Sequence, residues 1–156
     1  MHNQAMTKIE ILLVISICSL IIIFDIFYIS YLDNKSRDIQ ILSEVKQIQS
    51  GLDLFFLSNN YYPESKEAME LNDDYVGTEK LCPEGFKRSA DKCSRVILDP
   101  VPNFFLNKDN KYIYKSAGDK LNYQLEFVLK TNNKKLGLVK GKNCATNTQI
   151  LSQPCF

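Results

Sequence analysis

The chain has 156 residues, enough for one domain of ordinary size and, once an apolar N-terminal stretch is set aside, for one modest core. Lys and Arg number 19 against 18 Asp and Glu, so no charge excess points to nucleic acid or a polyanionic substrate. The single histidine is His2, which removes Ser-His and Cys-His pairs and histidine-ligated metals from the body of the chain. Only a paired-carboxylate site stays formally open, and no enzyme is expected.

In chain order, Ile11 to Phe24 is apolar throughout except for Ser16 and Ser19, and after Asp25 the apolar character resumes from Ile26 to Leu32. About 20 residues suffice to cross a bilayer. Taken as Ile11 to Tyr31, with no glycine or proline inside, the stretch predicts a transmembrane helix. Only Lys8 precedes it as a cation and no small-x-small site follows it, so it reads as a retained span rather than a cleaved secretory signal. Two carboxylates need an account, because a charge at the bilayer centre costs on the order of 2.5 to 3.5 kcal/mol. Glu10 sits at the mouth of the span, where it either snorkels to the headgroups or does specific work. Asp25 lies deeper: it faces a partner helix, stays protonated through desolvation, or reaches the far interface by tilt.

Beyond the span, Ile41, Val45, Ile48, Leu52 and Phe55 recur every three or four residues among polar neighbours, which predicts an amphipathic helix with one apolar stripe. No proline occurs before Pro63, so span and stripe read as one helix from about Met6 to about Ser58, about 80 Å long at 1.5 Å per residue. Asn59 and Asn60 end it. The stripe must be covered, and a sheet from the rest of the chain is the expected cover.

Pro63 to Pro102 is polar and punctuated by Gly77, Pro83, Gly85 and Pro100, so irregular structure is expected there, with a short helix over Ser65 to Leu71. Three strands are then predicted, over Lys111 to Lys115, Leu121 to Leu129 and Leu136 to Val139, as an antiparallel meander. In the second, Leu121, Tyr123, Leu125, Phe127 and Leu129 alternate with mainly polar residues, and that apolar face is expected to pack on the helical stripe. The polar tail from Gly141 to Phe156 reads as a surface loop.

Cys82, Cys93, Cys144 and Cys155 form two pairs of equal spacing in the polar half, which favours an oxidising compartment and places that half outside the cytoplasm. Four cysteines permit three pairings. The local one, Cys82 with Cys93 and Cys144 with Cys155, is expected because each bond closes a short polar loop. Zinc is the rival reading, but close Cys-x-x-Cys ligand pairs are absent.

Met6-Thr7-Lys8-Ile9-Glu10 followed by the apolar run, with the amphipathic helix closing in Leu54-Phe55-Phe56-Leu57-Ser58-Asn59-Asn60-Tyr61-Tyr62-Pro63, resembles a type IV pilin or type II secretion pseudopilin. Leu98-Asp99-Pro100-Val101-Pro102-Asn103 is similar to the Asp-Pro turn before the sheet in major pseudopilins, and Tyr112-Ile113-Tyr114 with Tyr123-Gln124-Leu125-Glu126-Phe127 to their strands. The resemblance implies an α+β fold in which a long helix packs on an antiparallel sheet of three to four strands. Its expected divisions are a leader at 1–5, a membrane and assembly half at 6–32, an amphipathic half at 33–60 and a globular part at 61–156. It further implies cleavage between Ala5 and Met6 by a prepilin peptidase, methylation of the new N-terminus, and a carboxylate at Glu10 that neutralises the N-terminal amine of a neighbouring subunit. The implied partners are other copies of the chain in a helical filament, an assembly platform and the inner membrane, with the globular part extracytoplasmic in a periplasmic or cell-surface filament.

Several positions depart from the family pattern. Ala5 stands for the usual glycine, Met6 for phenylalanine and Lys8 for an apolar residue; the leader has no Lys or Arg; the helix lacks the common proline; and Asp25 is unusual. Some pseudopilins bind calcium, and Asp73, Asp74, Asp91, Asp99 and Asp109 offer hard oxygen ligands, but no spacing matches a known loop. No cofactor is therefore expected. The competing functional class is a membrane-anchored monomeric extracytoplasmic binding domain, which needs the same fold outline.

Overall fold

A computed structural model describes residues 8–73, 75–103 and 111–156. The chain forms two compact units, the first ending at Ser36 and the second spanning Arg37–Phe156. Helix α1 runs Lys8–Asn59. It stops where Asn60 takes up a left-handed conformation with φ of 63°, a geometry asparagine tolerates better than most residues, and the Asn60 N–H closes the last turn on the Phe56 carbonyl at 2.7 Å.

In the second unit the stripe does what its spacing predicts. Ile41, Val45, Ile48, Leu52 and Phe55 are each at most 1% exposed, and each contributes roughly 1.5 to 3 kcal/mol by leaving water. They share one core with the inner face of a five-stranded antiparallel sheet, one strand more than the upper expectation. Its strands are β1 (Met69–Glu70), β4 (Ile113–Ser116), β5 (Tyr123–Leu129), β6 (Gly141–Thr146) and β7 (Ile150–Leu151), in that spatial order, while β2 (Lys80–Cys82) and β3 (Gly85–Lys87) form a separate hairpin. Strand β5 supplies Tyr123, Leu125, Phe127 and Leu129 to the core, as its alternation predicts, whereas Leu121 is half exposed in the turn before it. That turn is set by Lys120, at φ of 58°, whose N–H bonds the Ala117 carbonyl at 2.9 Å.

Four expectations are corrected. The segment Ser65 to Leu71 is not a helix: its N–H groups are drawn to the sheet, Ser65 N to Ser116 Oγ at 2.8 Å and Leu71 N to the Tyr112 carbonyl at 2.9 Å, and β1 pairs with β4. Pro63 to Pro102 is less irregular than its composition suggests. Strands β2 and β3 lie within it, and the segment after them lies along β2, with Leu81 N donating to the Leu98 carbonyl at 2.8 Å and Val101 N to the Glu79 carbonyl at 2.7 Å. Leu136 to Val139 is a turn held by a single bridge between Asn133 and Leu138, because Gly137 sits at φ of 67° and only Leu138 is buried. The third long strand is instead β6, in what reads as a polar tail, and six residue pairs join it to β5.

Several buried polar groups inside the second unit are matched, while Gln49 Oε1, Asn72 Nδ2 and the Tyr123 hydroxyl are buried without a hydrogen-bond partner among the described residues. Asp38, 4% exposed, accepts hydrogen bonds from Lys130 N and Thr131 N, both at 2.7 Å, and from Thr131 Oγ1 at 2.6 Å, which fastens the helix to the end of β5. Asn143 is fully buried and bonds both sides of its own turn, donating to the Val139 and Gly141 carbonyls at 2.8 and 2.9 Å. The buried Lys80 ammonium is capped by the Ser89 and Asp91 carbonyls. Tyr112 donates to Glu44 Oε2 at 2.8 Å; burial pushes the Glu44 carboxyl above its ordinary value, against the lowering effect of that bond and of Gln40.

Asp38→Ala strands two backbone donors and is expected to cost about 3 kcal/mol of stability, measured by urea unfolding of the detergent-solubilised chain. For Glu44 the folded-state pKa lies above the unfolded value, so its contribution to stability is full below the ordinary carboxylate range and is lost as pH rises through the raised value. Glu44→Gln keeps an acceptor for Tyr112 without the charge. Its melting temperature should equal or exceed that of the wild type at pH 7, and the difference should vanish below about pH 4, where the wild-type carboxyl is itself neutral.

Candidate functional site

Two regions carry the residues singled out by sequence, and each belongs to a different unit. In the first, the helix is long and apolar enough to cross a membrane, and every large apolar side chain from Ile9 to Leu32 is exposed, Phe24 at 74% and Phe27 at 72% among them. A soluble monomer rarely shows a contiguous apolar surface of this extent. Two polar groups at this end turn back on their own helix: Ser19 Oγ donates to the Ser16 carbonyl at 2.8 Å and Asn34 Nδ2 to the Ser30 carbonyl at 3.0 Å, so each donor has a partner on the helix itself. Glu10 lies in the first turn of α1, where a carboxylate complements the helix dipole, and Asp25 and the free thiol of Cys18 sit exposed further along. Ala5 and Met6, the expected cleavage pair, lie outside the described residues, as do His2, Asp74 and Asp109.

In the second unit the four remaining cysteines are joined as Cys82–Cys93 and Cys144–Cys155, with Cα atoms 5.8 and 5.0 Å apart. Two such bonds suit an extracytoplasmic domain. The first ties β2 to the loop after β3. The second does more than hold a free end. Cys144 lies on β6 opposite Glu126 of β5, and its bond to Cys155 folds the tail back across the outer face of the sheet. Glu126 is thereby buried to 5% exposure; it accepts from Cys155 N at 3.2 Å and pairs with Lys142 at 2.7 Å. Lys115 on the same sheet lies 5.9 Å from the ring centre of Phe156.

Two of the acidic residues considered for calcium, Asp73 and Asp91, do other work. Asp73 Oδ1 accepts from Tyr75 N at 2.7 Å and Asp91 Oδ2 from Arg88 N at 3.1 Å, both capping turns. Among the described residues no group of three or more His, Cys, Asp or Glu is placed to hold a metal ion. Glu84, also at the surface, is held down to about 2, chiefly by its hydrogen bond with Ser94, the neighbour of Cys93. An open groove of about 540 Å³ runs between Gln40, Glu44 and Gln47 of the helix and the segment from Leu98 to Asn103. Asp99-Pro100 in its wall is a cis peptide.

Sequence reasoning did not single out Asp38 or Glu126. Both are acidic residues in polar surroundings along the chain, and only the tertiary fold removes them from water. Compared with family models, with curated proteins and with solved structures, the chain matches none.

Replacing Cys144 and Cys155 together by serine is expected to cost about 3 kcal/mol. It should also open the tail from Ser152 onward to carboxypeptidase while non-reducing mass still registers the Cys82–Cys93 bond. A tail that stays protected would mean that Glu126 and Lys142 hold it without the disulfide.

Proposed function

We propose that the chain is a non-enzymatic structural subunit of a type IV pilus or type II secretion-like filament, inserted in the inner membrane by the N-terminal part of α1 before assembly. The observation that carries this reading is the division of one 52-residue helix. Its N-terminal part is exposed and apolar on all sides from Ile9 to Leu32, while its C-terminal part buries a single stripe under a sheet. An all-round apolar helix end suits both lipid and a bundle of identical helices. Glu10 at the start of that end is the carboxylate that would neutralise a neighbour's N-terminal amine on assembly. The disulfide-bonded second unit is then the extracytoplasmic part displayed along the filament.

The decisive measurement is the N-terminus of the membrane-extracted protein after co-expression with a matching prepilin peptidase. Mass and terminal sequencing should show a chain starting at Met6, and Glu10→Ala should leave membrane insertion and both disulfides intact while filaments are lost. An intact Met1 or a cut beyond Leu32, with Glu10→Ala silent, would instead make the protein an anchored or released monomeric binding domain.

A further inference from the structure

Asp25 is the one carboxylate well inside the apolar run, fourteen residues after Ile11 and seven before Leu32. At 1.5 Å per residue it sits roughly 10 Å inside the outer end of the span. The positions that neighbour it on its own helix face, one turn before and after, are Ile21, Ile22, Tyr28 and Ile29, and none is cationic. An ionisable group at such depth is costly, so it requires a partner from elsewhere.

The chain offers few cations for this. Lys35 and Arg37 follow the span at its outer mouth, ten and twelve positions after Asp25. Lys8 differs. It opens α1 at the inner mouth, two residues before Glu10. Under the filament reading, on which this step rests, a subunit entering the filament moves outward and carries Lys8 into the apolar zone of its neighbours. The processed N-terminal amine and Glu10 already account for one positive and one negative charge in that zone. Lys8 and Asp25 are what remains, one of each sign, and each is spared the cost of an unpaired charge in the apolar zone if they too come together.

We infer that Asp25 of one subunit pairs with Lys8 of a second copy standing further out along the filament axis. The seventeen positions between the two residues set the offset of those copies at about 25 Å. The pair fixes axial register between helices whose other contacts are almost all apolar, the best-attested use of a buried polar contact among helices. Glu10 and the amine then need not specify register alone.

The test is a charge cycle in the full-length chain, co-expressed with its prepilin peptidase and assembly platform and scored as sheared filament yield per membrane-inserted subunit. Asp25→Asn and Lys8→Met, each leaving one unpaired charge, should reduce yield about tenfold or more, and the double variant, which removes both charges, should recover most of it. Membrane level and disulfide content should be equal in all four proteins. In a Cys18→Ser background, Lys8→Cys and Asp25→Cys chains expressed together should form a crosslinked dimer in filaments that neither forms alone.

Filaments whose yield ignores Asp25→Asn, or a double variant no better than the worse single one, would overturn the pairing and leave Asp25 reaching the outer headgroups by itself. Crosslinking absent from abundant wild-type-like filaments would do the same. Failure of the unsubstituted, correctly processed chain to make any filament is a separate outcome, visible before any substitution, and it removes the filament reading and this pairing with it.

Discussion

Burial of one helical stripe under one strand face is the interaction on which the second unit depends. Ile41, Val45, Ile48, Leu52 and Phe55 meet Tyr123, Leu125, Phe127 and Leu129 in a single core, and the other elements are placed by what that contact leaves uncovered. Gly51 lies on the same stretch of helix. A Cβ there would stand 3.2 Å from Leu98 Cδ2, so the missing side chain is what lets the segment after β3 close against the helix. At the helix end an aromatic group takes over. Tyr62 lies edge-on to Tyr123 at 4.8 Å, Tyr114 stacks on Tyr123 at 6.0 Å, and the Tyr114 hydroxyl holds the Pro63 carbonyl at 2.8 Å. The chain thus leaves the helix directly into the sheet's core, with Tyr62 N bonded to the Lys120 carbonyl as it does so.

A small core tolerates few unsatisfied polar groups, and here the buried ones also connect elements. Asp38 binds helix to β5, Asn143 closes the turn that begins β6, and Glu126 receives the tail. Each costs desolvation and recovers it through two or more hydrogen bonds or an ion pair, so removal of one partner is more damaging than its exposed equivalent. The surface pairs Lys111–Glu70 and Lys120–Glu64 are different in kind. Their geometry is close, at 2.6 and 2.7 Å, but they are largely solvated and contribute little.

The helix and β5 were legible because their apolar residues follow periods of 3.6 and 2 over many positions, and such repetition survives local noise. Strand β6 was not legible. Gly141-Lys142-Asn143-Cys144-Ala145-Thr146 has low strand propensity and no apolar alternation; it is a strand because β5 offers it a ladder and its one buried amide is satisfied locally. Leu136 to Val139 shows the reverse error, since Leu, Leu and Val outweighed a glycine whose positive φ makes a turn. At the candidate site, the length and purity of the apolar run and the equal cysteine spacings could be read directly. The burial of Asp38 and Glu126 could not, because it arises from contacts some 92 and 29 residues apart in sequence.

The two units solve the problem of apolar surface in opposite ways. The second covers its apolar stripe with its own sheet, and its disulfides shorten the loops that would otherwise have to be ordered at full entropic cost. Among the described residues the first has no such cover, and its side chains from Ile9 to Leu32 require a surrounding medium. Lipid and a bundle of like helices are nearly equivalent media for Ile, Leu and Phe, so transfer between them costs little hydrophobic free energy. It follows that the apolar residues give cohesion without deciding where one helix stops against the next. Under the proposed function, that decision falls to the few groups for which the two media are not equivalent, the charges at Lys8, Glu10 and Asp25.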